Sequence, residues 1–144
     1  MKFSDLKSTI LEQFKTTHEV VPFIVGKPGG GKSSCAREIA RELAVTHKIP
    51  SERIIEFNPS LREPCDVLGL PQFHGECTKW LPPEEFWALR QGVGPCVLIL
   101  EELSDADMNM QNPLCRVVLD RCAGQLRLSD QLFIIATGNR TEDR

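Results

Sequence analysis

The stretch "GKPGGGKSS" at residues 26–34 fits the spacing GxxxxGK[ST] at each fixed position: Gly26, Gly31, Lys32 and Ser33. Before it lies the apolar run "VVPFIVG" (20–26), which reads as a short strand. After it, "SCAREIARELAVTHK" (34–48) places Ala36, Ile39, Ala40 and Leu43 on one face of a helix. A strand, a glycine-rich turn and a helix, in that order, are the setting in which this pattern cradles phosphate. Glycines let successive backbone N–H groups turn inward around phosphate oxygens, where side chains would obstruct them. A merely flexible turn would account for the glycines but not for the elements on either side. The whole segment is therefore expected to bind nucleotide: Gly26, Lys27, Pro28, Gly29, Gly30, Gly31, Lys32, Ser33 and Ser34. Lys32 would reach the terminal phosphates, the Ser33 hydroxyl would face a magnesium ion, and the helix start would add its partial positive charge. The guanine-reading NKxD tetrapeptide is absent from the sequence, which leaves ATP as the expected nucleotide.

Three more strands follow in the pattern: "RIIEFNPS" (53–60), "CVLILEEL" (96–103) and "LFIIATGN" (132–139). Helical or irregular stretches separate them, the alternation of an α/β fold whose parallel sheet is covered by helices on both faces. Leu6, Ile10 and Phe14 recur at helical spacing in residues 4–17, with Ser4 or Asp5 as the cap. Residues 61–95 are rich in proline and glycine and show no clean period, so a loop or hairpin is expected there, then a short helix started by Pro82 and Pro83. Beyond the third strand, Ser104 with Asp107 resembles a capping box, and Asn112-Pro113 marks a second helix start. Two short helices or one kinked helix are expected.

The third strand ends in two carboxylates, Glu101 and Glu102. Successive side chains of a strand point to opposite faces, so two adjacent carboxylates suggest two tasks unless the strand is already ending. In parallel sheets, ligands bind beyond the carboxyl ends of the strands. In nucleotide hydrolases of this architecture an acidic residue at the strand tip holds magnesium, commonly through water, and a neighbouring glutamate activates the attacking water; by position Glu101 would take the first role and Glu102 the second. Aspartate is the usual residue at the first position, and Glu101 is longer by one methylene.

Length and composition narrow the function classes. A chain of 144 residues has room for one domain with one core. Its 17 basic and 20 acidic side chains give a formal charge of -3 and no basic stripe, so nucleic acid is not indicated as a partner. No apolar run approaches the roughly 20 residues of a membrane span, and Asp5, Glu12 and Lys15 interrupt the segment where a signal peptide would be apolar. A cytoplasmic protein without membrane association is expected. The six cysteines lack a CxxC pair, which fits free thiols in a reducing compartment. His74 and Cys77, with Cys65 as a further candidate, lack the fourth ligand of a tetrahedral metal site.

With these motifs in order, the sequence resembles an AAA+ ATPase of the MoxR-like, dynein-related branch (AAA_5 type), seen often in bacteria and their phages. Beyond the phosphate loop and "LILEE", "DVLGLP" (66–71) and "GECTKWLPPEEF" (75–86) are similar to that branch's D-x-x-G segment and glycine-led hairpin. "EELSDADMNMQNPL" (101–114) echoes its D-E-[IL]-N-R-A-x-x-x-x-Q pattern: Glu102, Ala106 and Gln111 agree, while Ser104 and Asp105 replace Asn-Arg. "FIIATGNR" (133–140) resembles the strand whose tip carries the sensor 1 residue. Asn139 takes that position, with Thr137 the less favoured candidate. The resemblance implies an amide that hydrogen-bonds the terminal phosphate or the attacking water, a hexameric ring and a protein client.

In that family a fifth strand, an arginine finger and a helical lid follow the sensor strand. Residues 1–144 are therefore expected to be an incomplete AAA+ module, the amino-terminal part of a longer ATPase or a truncated gene, with an N-terminal helix (1–19) and a P-loop core (20–144). Arg140 and Arg144 come too early to be the finger and Arg121 lies in the preceding helix, so none is assigned. ATP hydrolysis by Glu102, Lys32 and Asn139, weak at this length, is the leading expectation. The alternative is a non-catalytic nucleotide-binding module or assembly subunit. A phosphotransferase of the small-kinase type would not call for the "ATGN" strand.

Overall fold

A computed structural model describes residues 2–139. In chain order the elements are α1 (Phe3–Thr16), β1 (Phe23–Gly26), α2 (Lys32–His47), β2 (Ile54–Phe57), α3 (Cys65–Leu68), β3 (Leu70–His74), β4 (Cys77–Leu81), α4 (Glu84–Trp87), β5 (Cys96–Leu100), α5 (Met108–Asp120), β6 (Cys122–Ala123), β7 (Leu126–Arg127) and β8 (Leu132–Asn139). Four strands form one sheet in the order β1-β8-β5-β2, every neighbour parallel. Parallel neighbours need crossovers, and these place helices on both faces.

The core is two layers divided by the sheet. All five residues of β5 are buried, and their side chains alternate between the layers. Val97 and Ile99 join Ile24, Phe133 and Ile135 under α1 and α2, where Ile10, Phe14, Ile39 and Leu43 meet them. Cys96, Leu98 and Leu100 join Leu132, Ile134 and Ala136 under α5, where Met110, Leu114 and Val117 meet them. A strand covered on both faces has no polar side, which is why "CVLIL" reads as a continuous apolar run. Leu98 is fully buried in the second layer. Leu98→Ala is expected to cost about 2–5 kcal/mol through lost burial and a residual cavity, measurable by urea denaturation.

Local expectations differ from the structure at two helix starts. α1 begins at Phe3, and neither Ser4 nor Asp5 caps it: Lys2 is the N-cap residue, without a side-chain hydrogen bond. From that first turn the Phe3 ring lies against Gly31 of the phosphate loop. Beyond β5, Ser104 is no cap. It lies in a single 3-10 turn over Leu103–Asp105, and α5 is one helix from Met108 that contains Pro113. A proline inside a helix costs about 3 kcal/mol and leaves the carbonyl four residues back without its donor. Burial of Met110, Leu114 and Val117 on both sides of Pro113 opposes that cost.

In the 61–95 segment, the hairpin alternative is the one realised. β3 pairs antiparallel with β4, all ten of its strand residues are exposed, and α4 starts directly after Pro83. The small β6–β7 hairpin, with Gly124 at φ 60°, was not anticipated.

Candidate functional site

β8 lies between β1 and β5, which separates the loop after β1 from the carboxylates after β5 by one strand, roughly 10 Å at the usual strand spacing. The tip of β8 lies between them. The resulting cleft, about 350 Å³, has residues 28–34 on one side and Glu102, Thr137 and Asn139 on the other. A larger groove of about 490 Å³ runs between Leu103, Ala106 and the Leu114, Val118 and Leu119 side of α5. It has no cation and no glycine-rich backbone among its lining residues, so it does not suit phosphate.

Lys32 opens α2 and is only 8% exposed. Its Nζ donates to the carbonyls of Gly26 (2.9 Å) and Lys27 (3.0 Å) and to Asn139 Oδ1 (2.7 Å). An ammonium has three donors, so all of them are satisfied, which is what makes so buried a charge tolerable. Gly31, at the N-cap of α2, has φ 86°, a left-handed conformation that a side chain would strain, and a Cβ there would sit 3.1 Å from the Phe3 ring. Ser33 and Ser34 line the cleft.

The two carboxylates have different partners. β5 ends at Leu100, and the Glu101 N–H donates to the Phe57 carbonyl at 2.9 Å. The Glu101 side chain lies beside Arg37 of α2, with Nη2 at 3.6 Å from Oε1, beyond hydrogen-bond length. Arg37 is held more closely by Glu56, at 2.6 Å and 3.2 Å. Oε1 of Glu101 is buried and has no hydrogen-bond partner among the described residues. Glu101 is not among the residues lining the cleft.

Glu102 lines it, from a backbone at φ 52° and ψ 40°. This left-handed conformation costs a non-glycine residue about 1–2 kcal/mol. The Glu102 N–H donates to Thr137 Oγ1 at 3.2 Å. Its carboxylate Oε2 accepts from Asn58 Nδ2 and Ser60 Oγ, each at 3.3 Å.

Asn139 closes the cleft with three contacts: Oδ1 accepts from Lys32, Nδ2 donates to Asp105 Oδ2 at 3.1 Å, and the backbone N–H donates to Ser104 Oγ at 2.9 Å. The close approach requires Gly138, where a Cβ would come within 2.7 Å of the Phe23 ring and 2.9 Å of Ser104 Oγ.

The structure thus brings together Lys32, Ser33, Glu102, Thr137 and Asn139 and turns Glu101 toward Arg37. Asn58, Ser60, Ser104 and Asp105 are additions that the sequence reading did not assign. Only Ser104 and Asp105 carried a signal, as departures from the pattern the sequence resembles. Arg121 is committed elsewhere: Nη1 donates to the Leu132 carbonyl and Nη2 to the carbonyls of His18 and Glu19, and burial lowers its pKa from the usual arginine value. Arg140 and Arg144 lie outside the described residues. The six cysteines are unpaired, and burial pushes the Cys96 thiol up to about 11. Cys77 Sγ donates to the His74 carbonyl. Among the described residues no group of three or more His, Cys, Asp or Glu side chains is placed to hold a metal ion, and no helix is long and apolar enough to cross a membrane.

The parallel sheet, its flanking helices and the glycine-rich loop between β1 and α2 define an α/β P-loop NTPase fold. Solved structures agree at that level. The chain is similar to NtrX from Brucella abortus, at 20% identity and a TM-score of 0.60 over 99% of this chain and 32% of that one. It is likewise similar to NtrX from Brucella abortus in complex with ADP, at 18% identity and a TM-score of 0.60 over 98% of this chain and 30% of that one. The chain spans about a third of the length of these structures. No family model matches it, and no curated protein matches it in sequence.

Proposed function

We propose that the cleft binds ATP and hydrolyses it, as the nucleotide-binding core of a cytoplasmic AAA+ ATPase of the MoxR-like type that remodels a protein client within a ring. The observation that carries the proposal is the juxtaposition at one cleft of a buried ammonium, an inward-turning glycine loop, a carboxylate and a strand-tip amide. An NtrX of similar fold is described in complex with ADP, which supports a nucleotide as the ligand.

Each group has work that suits its chemistry. Loop N–H groups and Lys32 would hold the phosphates and offset their charge. Glu102 would accept the proton of the attacking water, its carboxylate oriented by Asn58 and Ser60. Thr137, buried at 1% exposure, would fix the backbone from which Glu102 projects. Ser33 offers a hard oxygen ligand that a magnesium ion in the cleft would take, whereas Glu101, turned toward Arg37 and outside the cleft lining, does not fit as its partner in this arrangement. When bound, that ion would neutralise phosphate charge.

The direction of Glu101 toward Arg37 favours a second reading, a nucleotide-binding module with little or no hydrolysis. Glu101→Asp addresses it. Under the ATPase reading the variant changes turnover by less than about tenfold at unchanged ATP affinity, a barrier difference below about 1.4 kcal/mol. A larger gain would show that the extra methylene impairs the natural residue. The proposal as a whole is tested by titrating the protein with ATP and magnesium in a calorimeter and assaying phosphate release. Binding without release supports the second reading, and no binding at all overturns both.

A further inference from the structure

Asn139 sits between two groups of opposite hydrogen-bonding character. The Lys32 ammonium can only donate, and it lies 2.7 Å from Oδ1. The Asp105 carboxylate can only accept, and its Oδ2 lies 3.1 Å from Nδ2. The reversed amide would set N–H groups against an ammonium and a carbonyl oxygen against a carboxylate, so the pair of neighbours defines one orientation. The backbone is pinned as well, by the Ser104 hydroxyl accepting the Asn139 N–H.

From this geometry we infer that Asp105 is a positioning residue for the proposed ATP chemistry. It holds Asn139 with its carbonyl oxygen toward Lys32 and the cleft, so that the amide acts as an acceptor for the ammonium and for water, not as a donor to the terminal phosphate. The inference rests on the ATP reading of the cleft. Its consequence follows from the three donors of Lys32, all of which are engaged. To contact a phosphate, Lys32 must release one acceptor. Two of the three are carbonyls of the loop, whose shape is the binding site, so the bond to Asn139 is the one exchanged. Asp105 sets how readily that exchange happens, because an amide freed from it can rotate and offer Nδ2 to the phosphate.

The test compares Asp105→Ala and Asp105→Asn with the natural chain, measuring ATP and ADP affinities by calorimetry and turnover by phosphate release. Asp105→Ala is expected to tighten ATP relative to ADP by about tenfold or more, as one added hydrogen bond to a charged group would, and to lower turnover. Asp105→Asn, whose amide oxygen still accepts from Nδ2, is expected to stay within about twofold of the natural chain in both. Equal weakening of ATP and ADP in Asp105→Ala, or Asp105→Asn behaving like Asp105→Ala, would overturn the inference, since a merely structural role predicts both. If the natural chain binds neither nucleotide, the ATP reading falls separately. The orientation is then judged from the Asn139 side-chain amide resonances in a 15N spectrum. They are expected to shift in Asp105→Ala more than the backbone amides of β8, and unchanged resonances would refute the role of Asp105.

Discussion

Lys32→Ala is expected to weaken ATP binding by about 100-fold or more, the loss of charge-assisted hydrogen bonds to phosphate at a partly desolvated site. Two effects combine in that variant. The phosphates lose the only ammonium among the cleft-lining residues, and the carbonyls of Gly26 and Lys27 together with Asn139 Oδ1 lose their shared donor. The second effect acts on the empty protein and is expected to lower its stability by about 1–3 kcal/mol. Thermal melts without nucleotide measure the stability loss alone, and melts across an ATP titration add the binding loss. If Lys32→Ala binds ATP as tightly as the natural chain does, the phosphates are held elsewhere.

Glu102→Gln is expected to lower turnover by about 10²–10⁴-fold, the usual contribution of a positioned general base, while ATP affinity changes little. The substitution keeps the length of the side chain and an oxygen able to accept from Asn58 and Ser60, whose contacts now hold Oε2. It removes only the capacity to take a proton. Single-turnover phosphate release with bound ATP isolates that step. Unchanged release by Glu102→Gln would remove Glu102 from the role of base.

The parts of this molecule that were legible in its sequence are those encoded by neighbours along the chain. The phosphate loop is one, since its glycines, lysine and serine are consecutive. β8 is another: "LFIIATGN" is a strand from Leu132 to Asn139, and its run from Leu132 to Ala136, buried on both faces, is apolar without a break. The contacts that shape the site were not legible, since they join residues far apart. Glu102 meets Asn58 across 44 positions and Ser60 across 42, and Asn139 meets Ser104 across 35. The strand order decides these meetings, and nothing in local periodicity states that β8 lies between β1 and β5.

Ser104 shows how a local rule misleads. Three positions before Asp107 it has the spacing of a capping box, yet its hydroxyl is taken by the Asn139 N–H. A tertiary donor replaced the helical one. Glu101 and Glu102 lie beyond the end of β5, where strand alternation no longer applies, and still their carboxylates have separate partners. The left-handed turn at Glu102 redirects the chain there.

The position of β1 bears on how the protein assembles. Within the described sheet its neighbour is β8, and the Lys32–Asn139 bond spans 107 positions. Contacts of such separation form slowly, because a long loop must close before any of them is rewarded. During synthesis the glycine loop therefore emerges early, but the Lys32–Asn139 bond cannot form until the last described strand has been made and has paired with β1. An engineered break between α5 and β8 is expected to leave that loop attached to an unzipped strand, so the pocket's completion reports on folding of the sheet as a whole.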